Sequence, residues 1–463
     1  MIVSGNAWRG SPAEAPFGAV AHRWGMGEVA RPIRPAAPPL ADPWDWRHPG
    51  VGWGLVLPDT DVGTSADRAA ARDAPECLRQ LVADRGPAPV LRWRPDEPGV
   101  LLRYYAGFGE PEHIPIGGTP RGVAPGAIPV FLMLWGDPAV LPWSLQYTLG
   151  VDPRLRPGRL PLAGDALERY VRLLGTAWAA PAPGRAEVVM WSTAHSPTDI
   201  TDLMRRVIAE PAHQRYGADP DVGVTYHRGP AATGAVLATA LAEGRPDLVV
   251  TTSHGFAGPV GAPDRERLGW LVDGDHTEID PAVLLRGWQP DGAVWYAHAC
   301  CGAGADARTS FAGVFEPGSA LDRMVTEVAG LGGLVAPFPV ALLSAARPAR
   351  AFVGHVEPTF DWTLRDEPTR HALTGDLIPA LYDELLLGRP VGWAFRDYQL
   401  RAGAEAAAHH DLRPRVLAGQ AHPDDALRAR LRFLDRRALV VLGDPAVALP
   451  RTADPAVALP EAG

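Results

Sequence analysis

Lysine is missing from this chain of 463 residues, so all 44 basic side chains of the Lys and Arg class are arginines. A phosphate-binding P-loop needs a lysine after its glycine-rich turn. The two Gly-Asp-Pro turns that begin at Gly136 and Gly443 are therefore not interpreted as nucleotide-binding loops. We predict instead that buried strands end at both turns.

Cysteine is scarce as well, with only Cys77, Cys300 and Cys301. Three thiols can form one bridge at most, so they cannot build the disulfide framework of a small secreted domain. This composition favours a reducing compartment, and we expect a cytoplasmic protein.

Long uninterrupted hydrophobic runs are also missing. The longest apolar stretch, from Val328 to Leu343, is broken by glycines and prolines, so we do not expect it to span a membrane. The first residues have neither the basic start nor the apolar core of a signal peptide. The net charge of −9 argues against a nucleic-acid-binding surface.

What the chain does contain is the pattern of an α/β protein. Hydrophobic residues make up 46% and charged residues 21%, as in globular domains. Short apolar, β-branched runs alternate with segments of helical periodicity. We predict a Pro- and Trp-rich arm over residues 1–50, a first α/β subdomain over 51–180, a second over 185–450, and a tail over 451–463.

Two of the predicted strands end in reactive side chains. One is the run Leu248-Val-Val-Thr-Thr-Ser-His254-Gly255, and the other runs from Ala293 to Cys300 before a glycine-rich turn. In parallel α/β sheets, ligands bind beyond the carboxyl ends of the strands. If the two strands are neighbours, a base therefore lies beside a thiol in one crevice. A neighbouring histidine is the usual means of generating the attacking thiolate.

This pattern resembles the caspase-like (clan CD) cysteine peptidases. His254 precedes Cys300 by 46 residues, and in caspases the histidine lies about 50 residues before the cysteine. The family's two strands end in His-Gly and Ala-Cys, as they do here at Gly255 and Cys300. The resemblance implies a three-layer α/β sandwich around a mostly parallel central sheet.

Further segments between residues 128 and 450 resemble the gingipain and CHAT-type bacterial branch of that group. They include Leu141-Pro-Trp-Ser-Leu-Gln-Tyr147, the strand and aromatic segment Ala351–Trp362, and the closing motif Leu442-Gly-Asp-Pro-Ala446. Their order matches the family, which is a stronger indication than any single motif. The resemblance implies two tandem α/β subdomains, of which the second carries the catalytic residues.

His254 and Cys300 are the predicted catalytic residues. His254 would act as the acid–base group and Cys300 as the nucleophile. The backbone N–H groups of Gly255 and Cys300 would form the oxyanion hole, and Gly255 would let the backbone approach the substrate. No cofactor is expected.

Cys301 competes with Cys300 as nucleophile. Side chains alternate along a strand, so only one of the two thiols can meet His254, and the Ala-Cys register of the family selects Cys300. A metal site built from His254, His298, Cys300 and Cys301 is a further alternative. It does not fit a zinc pattern, because adjacent cysteines do not easily bind one tetrahedral ion and the chain has no second cysteine pair.

Other residues are candidates for the substrate groove. Asp199 follows a strand, where the resemblance implies an acid that favours a basic P1 residue, but we interpret it as a helix cap. The remaining candidates, each of which could equally serve packing or turn formation, are Cys301, Gly302, His355, Glu357 and Trp362.

The sequence therefore predicts a cysteine endopeptidase that forms a thioester with a protein or peptide substrate. By the resemblance, such a protein could be a switched bacterial effector with a regulatory protein partner. Two alternatives stay open. The first is an inactive scaffold of the same fold, and the second is another Cys–His enzyme, such as an amidase or transpeptidase.

Overall fold

The computed structural model describes residues 2–3, 15–16, 22, 25–26, 41–60, 63–86, 88–176, 178 and 185–450. The predicted tail over 451–463 and most of the predicted arm lie outside these residues. The chain forms two compact units, residues 1–42 and residues 43–463. In the first unit, the described strands β1 (Ile2–Val3) and β2 (Ala15–Pro16) pair antiparallel.

The second unit is built around a 12-stranded sheet. Its strand order is β10-β9-β11-β14-β17-β18-β8-β7-β3-β4-β5-β6, and most neighbouring strands are parallel. The twelve strands are β3 (Trp53–Pro58), β4 (Val90–Trp93), β5 (Val100–Arg103), β6 (Glu112–Pro115), β7 (Phe131–Leu134), β8 (Arg156–Arg159), β9 (Ala186–Ser192), β10 (Val222–Arg228), β11 (Leu248–Thr252), β14 (Val294–His298), β17 (Ala351–His355) and β18 (Leu439–Gly443).

In the described part of the second unit, four short strands lie outside this sheet and form two antiparallel pairs. They are β12 (His254–Gly255) with β13 (Leu271–Val272), and β15 (Gly304–Ala305) with β16 (Leu334–Val335). Strand β12 contains His254 and follows β11, and β15 follows β14 and the turn at Cys300, so both pairs lie at the loops of the candidate site.

Helices flank the central sheet, so the predicted α/β class with a mostly parallel sheet is confirmed. The described α-helices are α1 (Ser65–Ala69), α2 (Glu76–Asp84), α3 (Trp143–Val151), α4 (Gly164–Gly175), α5 (Ile200–Met204), α6 (Glu210–Gly217), α7 (Gly234–Gly244), α8 (Pro281–Gly287), α9 (Ala320–Gly330), α10 (Pro337–Ser344), α11 (Leu377–Pro379), α12 (Val391–Ala394), α13 (Arg396–Leu417) and α14 (Pro423–Arg437). Within the described ranges, none of the helices is long and apolar enough to cross a membrane.

One helix prediction needs correction. Helical spacing predicts a single helix from about Ala66 to Asp84, but the structure has α1 and α2 with a turn between them. Pro75 stands just before α2. Proline lacks the N–H that a continuous helix requires and disfavours the helical conformation of the residue before it. The chain therefore breaks at this point.

Strand β8 is the strand that is hardest to predict from the sequence. Its four residues are Arg156-Pro-Gly-Arg159, without any apolar alternation, yet all four are buried. The Arg159 guanidinium donates hydrogen bonds to the carbonyl oxygens of Gly136 (2.8 Å) and Leu141 (2.7 Å). These bonds replace the water that a buried arginine loses. Burial lowers the pKa of Arg159 to about 10, so it is still charged at neutral pH.

Both predicted subdomains contribute strands to the one central sheet. Strands β3 to β8 come from the first predicted subdomain and the others from the second, and a bridge between Leu442 and Arg159 joins the two halves. The subdomain boundaries themselves stay a prediction. Two tryptophans of the predicted arm contact later parts of the chain: Trp44 lies edge-on to Trp393 with ring centres 5.8 Å apart, and Arg85 lies over Trp46.

Candidate active site

The predicted histidine and cysteine strands are neighbours. Strand β11 pairs in parallel with β14, and Thr252 lies opposite His298. Every residue of both strands is buried, as the β-branched and aromatic runs indicate. Each strand ends two residues before its reactive side chain. His254 and Cys300 therefore leave the sheet at the same edge.

Gly255 lies directly against the backbone of Cys300. A Cβ atom placed on Gly255 would stand 1.9 Å from the carbonyl oxygen of Cys300 and 2.9 Å from its nitrogen. No side chain fits there, so only glycine permits this approach. The two N–H groups predicted as oxyanion donors thus belong to residues in backbone contact.

The thiol of Cys300 is half-buried and donates a hydrogen bond to the carbonyl oxygen of Thr359 at 3.4 Å. Burial raises the pKa of this thiol. Backbone hydrogen bonds of Thr359, Gly255 and Cys300 itself oppose the shift, while the negative charge of Asp435 adds to it. In this arrangement the resting nucleophile is a protonated thiol.

Cys301 faces away from the crevice. Its side chain is fully buried in an apolar cluster with Leu268, Val328 and Leu334. Burial raises the pKa of Cys301 well above the usual range. Strand alternation is not the reason for the separation, because β14 has already ended at His298. The reason is a turn in which Cys301 adopts the left-handed conformation, with φ of 55°.

His254 is held by Asp199. Its Nε2 lies 3.1 Å from Asp199 Oδ2. The other carboxylate oxygen, Oδ1, accepts from the N–H of Thr201 at 2.8 Å, so Asp199 is also the predicted cap of α5. Burial acts to raise the pKa of Asp199, but the hydrogen bonds from Thr201 and the nearby His254 lower it.

This contact sets the proton positions on His254. Because the Asp199 carboxylate accepts, Nε2 carries a hydrogen and Nδ1 is the nitrogen left to exchange a proton. Sequence reasoning found the cap but missed this second role, since 55 residues separate Asp199 from His254. His254 and Cys300 are not hydrogen-bonded to each other in the described part of the chain, as each uses the partner named above.

Two further histidines, which the sequence did not single out, stack in line with His254: His195 stacks on His254, and His276 stacks on His195. The ring centres of His195 and His254 are 5.3 Å apart, with planes 16° from parallel. The ring centre of His276 lies 4.0 Å from that of His195, with planes 21° from parallel. The three rings form a column in the order His254, His195, His276. The three positions come from separate loops, so no local signal announces the stack.

Several groove candidates are buried rather than exposed to a crevice. His355 is 0% and Glu357 2% exposed, and Gly302 is also buried. Glu357 has φ of 71°, its carbonyl oxygen accepts from the N–H of Cys301 at 2.8 Å, and its carboxylate accepts from the N–H of Ser310. Glu357 and Cys301, both left-handed, thus fix the turn after the nucleophile.

A buried polar layer lies beneath Cys300. His298 and His355 meet edge to face at 4.7 Å, and burial lowers the pKa of His298 to about 3. Asp435 accepts hydrogen bonds from the hydroxyls of Thr359 (2.8 Å) and Thr363. It therefore anchors the segment whose carbonyl oxygen contacts the Cys300 thiol. Trp362, half-buried, follows in the same segment and stacks on Phe360 at 4.4 Å.

Among the described residues, no group of three or more His, Cys, Asp or Glu side chains is arranged so that it could bind a metal ion. The stacked rings of His195, His254 and His276 face one another rather than a common centre.

Comparisons with known proteins give matches only among solved structures. No family model matches the chain, and no curated protein matches it significantly. Among solved structures, the chain is similar to the Arg-specific cysteine proteinase gingipain R, with 11% identity and a TM-score of 0.43, over 87% of this chain and 79% of the other. A complex of Porphyromonas gingivalis RgpB pro- and mature domains matches with 12% identity and a TM-score of 0.36, over 69% and 65%.

At such low identity these similarities concern the fold and say nothing about catalysis in this chain. With TM-scores below 0.5, they also do not show a family for this chain, so the whole resemblance, gingipain and CHAT-type alike, stays a prediction. The reaction has to be argued from the site itself.

Proposed function

We propose that this protein is a cysteine endopeptidase with Cys300 as nucleophile and His254 as acid–base group. One observation carries the proposal. Gly255 and Cys300 are in backbone contact at the end of two adjacent parallel strands, while Asp199 holds His254 at the same edge. A histidine oriented by a third group beside a thiol is the arrangement that acyl transfer requires.

The proposed reaction has two halves. The Cys300 sulfur attacks the carbonyl carbon of the scissile bond, and the thiol proton passes to Nδ1 of His254. His254 then donates that proton to the leaving amine as the C–N bond breaks and a thioester remains. Water, deprotonated by His254, hydrolyses the thioester. The N–H groups of Gly255 and Cys300 would stabilise the negative charge on the carbonyl oxygen in both halves.

The resting site favours a switched enzyme. Cys300 is half-buried, and burial raises its thiol pKa, so the thiolate is disfavoured before substrate binds. A substrate or a regulatory protein that displaces the Thr359 carbonyl oxygen from the thiol would free the thiol proton to pass to His254. We also propose a reducing compartment such as the cytoplasm, where the thiol stays free.

A second candidate is an inactive scaffold of this fold, and the hydrogen bond of the Cys300 thiol supports it. A protonated thiol that is hydrogen-bonded to a backbone carbonyl instead of to His254 is what an unused dyad would show. Reactivity separates the two. A scaffold leaves Cys300 with an alkylation rate that does not depend on His254, whereas a working dyad makes that rate fall in His254→Ala.

The deciding experiment measures cleavage of a mixed peptide library by the purified protein and three variants. We expect Cys300→Ala and His254→Ala to abolish turnover, by a factor on the order of 1,000 or more. Cys301→Ala is the matched control, because it removes a neighbouring thiol that is buried away from the crevice. It should keep turnover.

Other outcomes would point elsewhere. Equal loss in Cys301→Ala and Cys300→Ala would refute the assignment of the nucleophile. Activity on small amides without cleavage of peptides would favour the amidase alternative. Absence of turnover combined with a His254-independent alkylation rate would favour the scaffold.

A further inference from the structure

The loop between β9 and α5 holds His254 from two directions. Asp199 bonds to the edge of the His254 ring at Nε2, and His195 covers one face of the same ring. Thr201 ties these two contacts together. Its N–H donates to Asp199 Oδ1, and its hydroxyl oxygen accepts from the N–H of His195 at 3.2 Å. The edge contact and the face contact therefore share one rigid support.

His276 forms the end of the column by stacking on His195. It occupies the left-handed region with φ of 58° in a turn organised by the buried Asp273. One oxygen of Asp273 accepts from the N–H groups of Asp275 (2.9 Å) and Thr277 (3.0 Å), and the other accepts from Gly234 (2.9 Å) at the start of α7. This turn fixes the place of His276, so His195 lies between two rings that are themselves held.

The nitrogens of His195 are not used for hydrogen bonding. Within the described residues, Nδ1 and Nε2 are both buried without a hydrogen-bond partner. Burial, followed by the neighbouring His276 and His254, lowers the pKa of His195, although Asp199 and Asp273 oppose this. The middle ring is thus neutral at neutral pH and interacts through its faces.

We infer that His195 is a positioning residue for His254: its ring face, supported by His276, keeps the His254 imidazole in the plane in which Nδ1 can serve Cys300. The inference rests on the proposed peptidase function. It assigns no proton transfer to His195. A flat apolar ring should therefore replace it, and an aliphatic side chain of similar volume should not.

The experiment compares His195→Phe, His195→Leu and His195→Ala by steady-state kinetics on a peptide found in the library screen. We expect His195→Ala and His195→Leu to lower kcat about 10-fold, the size of effect expected for one lost stacking partner. KM should stay within about twofold, because a positioning role acts on the reacting geometry rather than on binding. His195→Phe should restore kcat to within about twofold of the wild type.

The supporting residue provides a second, smaller effect. His276→Ala should lower kcat about threefold through the loosened column, and His276→Phe should restore it. If His195→Phe is as slow as His195→Ala, an imidazole nitrogen is needed and the positioning role is wrong. An unchanged kcat in His195→Ala, or a rise in KM alone, would overturn it as well.

A measurement without substrate keeps this inference separate from the proposed function. In the NMR spectrum, the ring C–H signal of His254, assigned by its loss in His254→Gln, should carry an upfield shift caused by the stacked ring of His195. That shift should vanish in His195→Ala and persist in His195→Phe. Should the wild type cleave nothing, the peptidase proposal fails and this signal alone decides whether His195 stacks on His254.

Discussion

The two halves of the central sheet contribute to the candidate site in different ways. The second half, β9 to β18, supplies the proposed catalytic residues, His254 and Cys300. The first half, β3 to β8, contributes a side chain that binds the segment just after the Cys300 turn. Trp143, fully buried at the start of α3, donates from Nε1 to the carbonyl oxygen of Ala305 at 2.8 Å. The chemistry is thus local to one half, while its geometry depends on both.

That support continues into the first half through a buried cation. The Arg159 guanidinium lies 4.6 Å over the Trp143 ring and also holds the turn at Gly136. A strand without apolar residues, β8, therefore has a clear reason to be buried. The candidate site can thus be recognised from one half of the sheet, and we expect changes in the other half to impair it as well.

The largest effect is expected within the second half, from Gly255→Ala. The new Cβ would overlap the Cys300 carbonyl oxygen, so the backbone has to move and the proposed oxyanion hole opens. We expect kcat to fall roughly 100-fold or more, the size of effect for one lost oxyanion donor. Gly302→Ala is the control, since its Cβ would meet nothing closer than 3.4 Å, at the Ala299 carbonyl oxygen. Similar losses in both variants would contradict the special role of Gly255.

Asp199→Asn should have the next largest effect. An amide at this position can present N–H to His254 Nε2 and so favour the wrong tautomer. We expect kcat to fall on the order of 100-fold while KM changes little. Asp202→Asn is the charge-matched control, because Asp202 lies in the first turn of α5 and pairs with Arg205 at 2.6 Å instead of with His254. Full activity in Asp199→Asn would show that His254 needs no partner at Nε2.

Trp143→Phe tests the first half. The variant removes one buried hydrogen bond and leaves the Ala305 carbonyl oxygen without its donor, so urea denaturation should show a loss of about 1–3 kcal/mol in unfolding free energy. We expect kcat to fall a few-fold at the same time. Trp53→Phe is the matched control. Trp53 Nε1 also donates a buried hydrogen bond, to Asp444 Oδ1 at 3.0 Å, but this bond does not involve the turn at Cys300. If both variants lose stability and neither loses activity, the two halves are not coupled through Trp143.

Asp435→Asn should have the smallest effect on activity, together with a distinct pH dependence of stability. Burial raises the pKa of Asp435 to about 6, well above the usual aspartate range, so the folded protein holds this proton more tightly than the unfolded chain. Unfolding free energy should therefore decline by up to about 3 kcal/mol as pH rises from about 4 to about 6, and this contribution should change no further above that.

The measurement is urea denaturation at several pH values between 4 and 7. Glu357 and Asp306 are also buried acids with raised pKa values, so the wild-type slope contains their contributions too. The informative quantity is the unfolding free energy of the wild type minus that of Asp435→Asn, which should fall as pH rises from about 4 to about 6, because only the wild type loses a proton at this position. Parallel curves for the two proteins would contradict the assignment to Asp435.

The sequence determined the parts of this protein that depend on neighbouring residues. Buried strands at residues 248–252 and 294–298, their closing glycines, and the His-Gly and Ala-Cys ends follow from apolar β-branched runs, which behave alike in any α/β sheet. The interpretation of Asp199 as a helix cap is local for the same reason.

Only the tertiary structure decided which distant groups meet. The contact of Asp199 with His254, the column of His195 and His276, and the support from Trp143 join residues from separate loops and from both halves of the sheet. Periodicity reports which face of an element is apolar, but it carries no information about which loops converge at a sheet edge. Strand β8 marks the same limit, because its burial depends on carbonyl oxygens that folding brings to Arg159.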